Sequence, residues 1–374
     1  MPSLGETISR LARGRQALAA AVGMVDGGEG RMSEIAHFGA NPGGLRALAY
    51  APANLPPDAP LVVVLHGCGQ AAEPYAAQGG WLDLADRLGF AVLAPEQLSL
   101  NNPNRCFNWF SAADMQRGQG EAASIAQMIG HWVRARRLDP GRVFVTGLSA
   151  GGAMSAVMLA AYPELLAGAA VIAGLPYGAA RNVQEALKLM RSGDGRDGPA
   201  LAQLVRAAAP GVTRRPFRLS IWQGGADLVV NPANARDLAG QWTAVAGLNL
   251  SPDRVSEAGD LVRSTWSGPG GIVELVTIEA LGHGEPLAAR GPDGLGEPAP
   301  FMLEASVSSV REIARFWGLG EAAAVAPPNS EADPGPSPGR NTFADRAVEA
   351  LRGHLPAKAH EAVIKALRAS GLLR

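Results

Sequence analysis

Cysteine is almost absent from this chain: Cys68 and Cys106 are the only two in 374 residues. Two thiols exclude a disulfide framework and a four-thiolate metal site, but they permit one bridge. Aromatic residues make up only 5%. Charge is sparse too, at 18% of residues, and balanced to a net −1, so no global electrostatic term recruits nucleic acid or an anionic membrane. No run approaches the roughly 18–20 uninterrupted apolar residues that a membrane-crossing helix needs. What the chain has in plenty is hydrophobic material, 47% of residues, with 47 glycines and 28 prolines. That supports a large core and excludes a disordered chain. The length allows one large domain or two smaller ones.

At the start, Arg10, Arg13 and Arg15 precede a short apolar run over residues 17–24, which mimics a signal peptide. The spacing of Ile8, Leu11 and Leu18, with Glu6 in the first turn, favours an amphipathic helix, and no cleavage-site pattern follows. Residues 1–34 are therefore expected to form a helical extension. Around the turn signal Asn41-Pro42-Gly43-Gly44, residues 35–52 read as a β-hairpin. Apolar strand patterns then alternate with helical ones. Strands are expected over 61–65, 90–94, 142–145, 169–172, 218–222 and 272–278, and helices over 80–88, 121–136 and 152–159. This alternation predicts an α/β fold with a mostly parallel central sheet and helices on both faces.

An excursion over residues 177–215 carries helical patterns at 183–190 and 201–209. Insertions above the C-terminal edge of such a sheet commonly serve as lids or substrate walls. Gly193, Gly195 and Gly198 spell a GxGxxG, but no strand precedes them, so the segment reads as a flexible loop rather than a dinucleotide site. The catalytic domain is expected over 35–318, followed by a Pro-rich linker, 319–342, and a basic helical tail, 343–374.

Gly147-Leu148-Ser149-Ala150-Gly151 is a G-x-S-x-G with a strand before it and a helix after it. A nucleophile on a sharp strand-to-helix turn needs glycines two residues to either side, and the helix N-terminus lends a positive potential to a developing oxyanion. A serine hydroxyl needs a base. His283 follows the last strand in Leu281-Gly282-His283-Gly284, whereas His354 and His360 lie beyond the linker. Asp227, just after the 218–222 strand, completes the order serine, acid, histidine, with Asp253 and Asp260 as fallbacks. The oxyanion donors are expected to be the N–H groups of Ala150 and of Cys68, the latter in the loop His66-Gly67-Cys68-Gly69-Gln70. Reading His66 and Cys68 as metal ligands is weak, since only Cys106 could add a soft ligand.

Three segments, Leu65-His66-Gly67-Cys68-Gly69-Gln70, Cys106-Phe107-Asn108-Trp109-Phe110 and Arg117-Gly118-Gln119-Gly120-Glu121, carry a resemblance to the poly(3-hydroxybutyrate) depolymerase family of esterases. The serine segment from Arg142 to Met154 and the Asp227 segment through Gln241-Trp242 extend it over about residues 35–318. The resemblance implies an α/β-hydrolase fold, a Ser149–Asp227–His283 triad, an oxyanion donor at Cys68 and no cofactor. Two residues depart from the family pattern: Gln223 stands where histidine is expected, and Gly-Glu-Pro follows His283 in place of an aromatic-proline pair. Trp109, Tyr177, His66 and Gln223 are the candidate substrate contacts, with Trp81 a further candidate wall. A Cys68–Cys106 bridge would pin the oxyanion loop to the loop bearing Trp109. Arg117 and Glu121, four apart at a helix start, read as a structural pair.

The expected partner is an ester: a 3-hydroxybutyrate oligomer or similar polyester, or alternatively a feruloyl or acetyl ester of plant polysaccharide. A reading of another class is a non-catalytic binding protein on a hydrolase fold, with its function in the basic tail. The absent cleavage site points to the cytoplasm, while the cysteine pair and the resemblance point to export; oligomeric state is left open.

Overall fold

The computed structural model describes residues 30–319. In chain order its strands are β1 (Ser33–Glu34), β2 (Arg46–Tyr50), β3 (Leu61–Leu65), β4 (Ala91–Glu96), β5 (Val143–Leu148), β6 (Gly168–Ile172), β7 (Phe217–Gly224), β8 (Arg254–Ala258), β9 (Leu261–Gly268), β10 (Gly271–Ile278), β11 (Glu285–Leu287) and β12 (Met302–Glu304). The helices are α1 (Ala72–Gln78), α2 (Trp81–Leu88), α3 (Ala112–Met115), α4 (Gly120–Arg136), α5 (Ala150–Ala161), α6 (Val183–Ser192), α7 (Gly198–Ala208), α8 (Ala233–Ala246) and α9 (Ser309–Phe316). No helix among the described residues is long and apolar enough to cross a membrane.

Ten strands form one sheet in the order β1-β2-β4-β3-β5-β6-β7-β10-β9-β8. From β4 to β10 every pairing is parallel; β1, β2, β9 and β8 add antiparallel edges. The centre is parallel because its strands are apolar on both faces and can be covered by helices on both. In β3, Leu61, Val63 and Leu65 join the hydrophobic cluster under α4, α5 and α8, while Val62 and Val64 join the one under α1, α2 and α9. Successive side chains of a strand point to opposite faces, so one five-residue apolar run serves both layers.

Between residues 35 and 318 the expected strands and helices are present, with boundaries moved by a few residues, whereas Ser33 and Glu34, expected in the N-terminal helix, form a strand. The hairpin starts earlier than expected, since Ser33 and Glu34 already pair with β2. The rest of the 1–34 helix, up to residue 29, lies outside the described residues, as do the linker from 320 and the tail over 343–374. The stretch holding Asp253 and Asp260 folds as the hairpin β8–β9. Its residues are mostly exposed, so no apolar alternation marked it. The 193–197 segment is a loop, as expected, with hydrogen bonds at both ends. Asp194 N–H donates to Asp237 Oδ2 at 2.7 Å, and Asp197 caps α7 by accepting from Ala200 N–H at 2.8 Å. Gly198 lies against Gly240 so closely that a Cβ there would sit 2.4 Å from the Gly240 oxygen. Gly198 thus serves helix packing, while Gly193 and Gly195 take positive φ in the loop.

Candidate active site

The C-terminal ends of the parallel strands bring four loops together. Ser149 sits between β5 and α5 at φ 57°, ψ −115°, a conformation costly for any residue with a side chain. Its N–H donates to Ile172 O, at the end of β6, at 2.8 Å. A Cβ on Gly147 would lie 2.5 Å from Leu65 O, and one on Gly151 would lie 2.0 Å from the same oxygen. The serine elbow is therefore pressed against the end of β3, where the 66–70 loop begins, and only glycine fits on either side. Ala150 is the first residue of α5, so its N–H belongs to an unpaired helix N-terminus.

Asp227 and His283 come from different strands and meet. His283 Nδ1 lies 2.8 Å from Asp227 Oδ2, with both side chains almost wholly buried. Asp227 Oδ1 accepts from the N–H groups of Val229 and Val230 at 2.8 and 2.9 Å. Burial pushes its pKa up, but the histidine and the two backbone donors outweigh this and hold the carboxyl below its ordinary value. The two loops run side by side: Gly225 N–H donates to Ile278 O and Ala226 N–H to Leu281 O. Gly224 touches the Leu281 and Gly282 carbonyls where a Cβ would collide, so the glycine pair before the acid permits this approach. Asp253 and Asp260, the fallback acids, lie on the β8–β9 edge.

Cys68 and Cys106 are bridged, joining the loop after β3 to the loop after β4. The bridge also removes Cys68 as a metal ligand. Gly69 N–H donates to Asn104 O at 2.6 Å, and Gly67 N–H to Gln70 Oε1 at 2.7 Å. Beneath this, buried Glu121 accepts from Asn108 N–H, Asn108 Nδ2 and Gln97 Nε2. Burial raises its pKa to about 8 against those donors. Glu121 does not pair with Arg117, as its position had suggested. Arg117 instead meets Glu164 and stacks over the Tyr162 ring.

Two expected substrate contacts turn out to hold the framework. His66 is completely buried; its Nδ1 faces Gly67 O at 2.8 Å, and its Nε2 accepts from Gln97 N–H at 3.1 Å. With both nitrogens engaged it offers nothing to a ligand, and burial lowers its pKa to about 4. Gln223 is buried as well, and its Nε2 reaches Asp227 Oδ2 at 3.0 Å. Both sit next to site loops in sequence, yet their side chains point inward. Trp109 and Tyr177 belong to the core under α4 and α5, and Trp81 to the opposite layer, stacked on Trp317.

Sequence reading missed Phe301, whose ring meets His283 edge-on at 6.0 Å and whose carbonyl accepts from Glu285 N–H. It lies 18 positions beyond His283 in a stretch with no periodic pattern, and only the folded β11–β12 pair joins them. The end of α6 also borders the acid loop, with Met190 O accepting from Asn231 N–H at 2.7 Å.

A mostly parallel sheet of this order, with a strained serine after β5, defines an α/β-hydrolase. Comparison with known proteins narrows the class. Residues 46–261 match the family model described as Esterase PHB depolymerase. The chain is 39% identical over 291 residues to poly(3-hydroxyalkanoate) depolymerase C of Paucimonas lemoignei, covering 77% of this chain and 70% of that protein. It is 27% identical over 259 residues to feruloyl esterase B of Talaromyces funiculosus, covering 67% and 72%. An acetyl xylan esterase structure from Aspergillus awamori superposes with a TM-score of 0.66 at 23% identity, over 78% of this chain and all of that one. The chain belongs to the PHB depolymerase family of esterases and is a serine-type carboxylic ester hydrolase.

Proposed function

We propose that this esterase works through a Ser149–His283–Asp227 triad and an acyl-enzyme, on poly- or oligo(3-hydroxybutyrate) or a similar polyester. The observation that carries the reading is the 2.8 Å His283–Asp227 bond on the same sheet edge as the strained Ser149. Asp227 keeps the proton on His283 Nδ1, which leaves Nε2 to accept the serine proton. Ser149 Oγ then attacks the ester carbonyl. The tetrahedral oxyanion is held by the N–H groups of Cys68 and Ala150, each worth on the order of 10²–10³-fold in rate. His283 returns the proton to the leaving alcohol, then deprotonates the water that releases the acid. Trp109 and Tyr177 are both largely buried, which limits what either can offer an acyl group.

The polyester assignment rests on likeness to the Paucimonas lemoignei enzyme, and the feruloyl and acetylxylan alternative on the weaker likeness to the fungal esterases. Rates on soluble hydroxybutyrate oligomers, methyl ferulate and acetylated xylan, for the wild type and Ser149→Ala, test both parts. Oligomer cleavage that disappears in the variant is expected. Preference for ferulate or acetylxylan would replace the substrate, and an unchanged variant would remove the triad.

A further inference from the structure

Asp227 accepts four N–H groups. Two come from its own loop and one from His283, but the fourth comes from a side chain that the mechanism above does not use. Gln223 lies on β7 beside Thr277 of β10, four residues before the acid, and is buried. Its Nε2 lies 3.0 Å from Asp227 Oδ2, 3.2 Å from Gly224 O and 3.3 Å from Val230 O. Its own Oε1 is buried without a partner. Turning the amide over would aim that oxygen at a carboxylate and two carbonyls, so the network itself assigns the orientation. The site tolerates an unpaired amide oxygen in order to keep a donor on Asp227.

We propose that Gln223 is a positioning residue of the acid–histidine pair, sharing Asp227 Oδ2 with His283 Nδ1 and so setting the proton affinity of the imidazole. This rests on the triad reading. A carboxylate oxygen that accepts two N–H bonds offers less charge to each, so the Gln223 donor restrains the pull of Asp227 on a protonated His283. It also fixes the carboxylate plane that holds the imidazole toward Ser149. Other titratable groups on the packed elements are exposed or engaged elsewhere. Glu279 at the end of β10 is exposed, Glu285 on β11 turns to Ser309, and Asp194 and Asp237, near α6 and α8, bind Arg196 and the Asp194 backbone. Phe301 meets the imidazole ring edge-on and carries no charge.

The test is the pH profile of kcat/KM on a soluble p-nitrophenyl ester for wild type, Gln223→Leu and Gln223→Glu, with folding checked by circular dichroism. Gln223→Leu removes the donor. Gln223→Glu keeps the shape and leaves no cavity, and a carboxyl buried against Asp227 takes a proton, so it still donates to Oδ2. The acid limb is expected to move to higher pH by about half a unit, a roughly threefold change, in Gln223→Leu and to stay near its wild-type position in Gln223→Glu. A purely structural role would lower the rate and leave the limb in place in both. An unmoved limb in folded Gln223→Leu would overturn the proposal while an inactive Ser149→Ala upheld the triad. An active Ser149→Ala would overturn the triad itself.

Discussion

The loops on the two sides of Ser149 are built by different means. The oxyanion side, His66 to Gln70 with Cys106 to Phe110, is tied by a disulfide and by the buried polar groups His66, Gln97, Asn108 and Glu121. The acid–histidine side, Gly224 to Val230 with Leu281 to Phe301, is held by hydrogen bonds and one ring contact. Under the triad reading the difference follows the chemistry. A backbone oxyanion donor contributes by not moving, so rigid bracing costs nothing. An imidazole must pass a proton from serine to leaving group and then from water, which requires firm but adjustable partners.

The largest effect is expected on the adjustable side. Asp227→Asn keeps the shape but presents the wrong group to His283 Nδ1, so kcat should fall on the order of 10³–10⁴-fold on a short-chain p-nitrophenyl ester. A fall below tenfold would make the pair a structural contact. Next comes the braced side. Replacing both cysteines by serine opens a link across 38 positions, with an expected loss of about 3–4 kcal/mol in denaturant unfolding. Because the Cys68 N–H is displaced rather than deleted, kcat should fall by no more than on the order of 10²-fold. Unchanged stability would mean that the polar groups alone hold this side.

His66 gives the braced side a pH signature. Its folded pKa of about 4 lies below the unfolded value of 6.5, so between those limits the unfolded chain binds a proton that the folded chain refuses. Stability is therefore intact above pH 6.5 and falls as pH drops toward 4, by about 3 kcal/mol in all. His66→Gln should be less stable at neutral pH yet show a flatter acid limb in denaturant titrations; an equally steep limb would place the titration elsewhere. The smallest effect belongs to Phe301→Leu, which removes an edge contact worth about 0.5–1.5 kcal/mol and should lower kcat two- to tenfold. An effect as large as that of Asp227→Asn would show that the ring, rather than the acid, orients the histidine.

Sequence made the central sheet legible because β3 and β6 are unbroken apolar runs and the serine pentapeptide sits at a strand-to-helix junction. The meeting of Asp227 with His283 was legible from their positions after two strands that prove adjacent. The β8–β9 hairpin escaped because its exposed polar residues bury no stripe, and α8 escaped because its packing face rests on alanines and Trp242 rather than a leucine period. His66 and Gln223 were expected to touch substrate because sequence gives nearness along the chain and not side-chain direction. The Glu121–Asn108–Gln97 group joins residues 13 to 24 positions apart through buried hydrogen bonds, which no periodicity encodes.

The central claim is that Ser149 is the nucleophile. Incubating the intact protein with a p-nitrophenyl phosphonate ester and locating the adduct by peptide mass tests it directly. The expected result is stoichiometric release of p-nitrophenol, loss of esterase activity and a single phosphonyl adduct on Ser149. Inactivation with the adduct on another residue, or full activity with Ser149 modified, would contradict it.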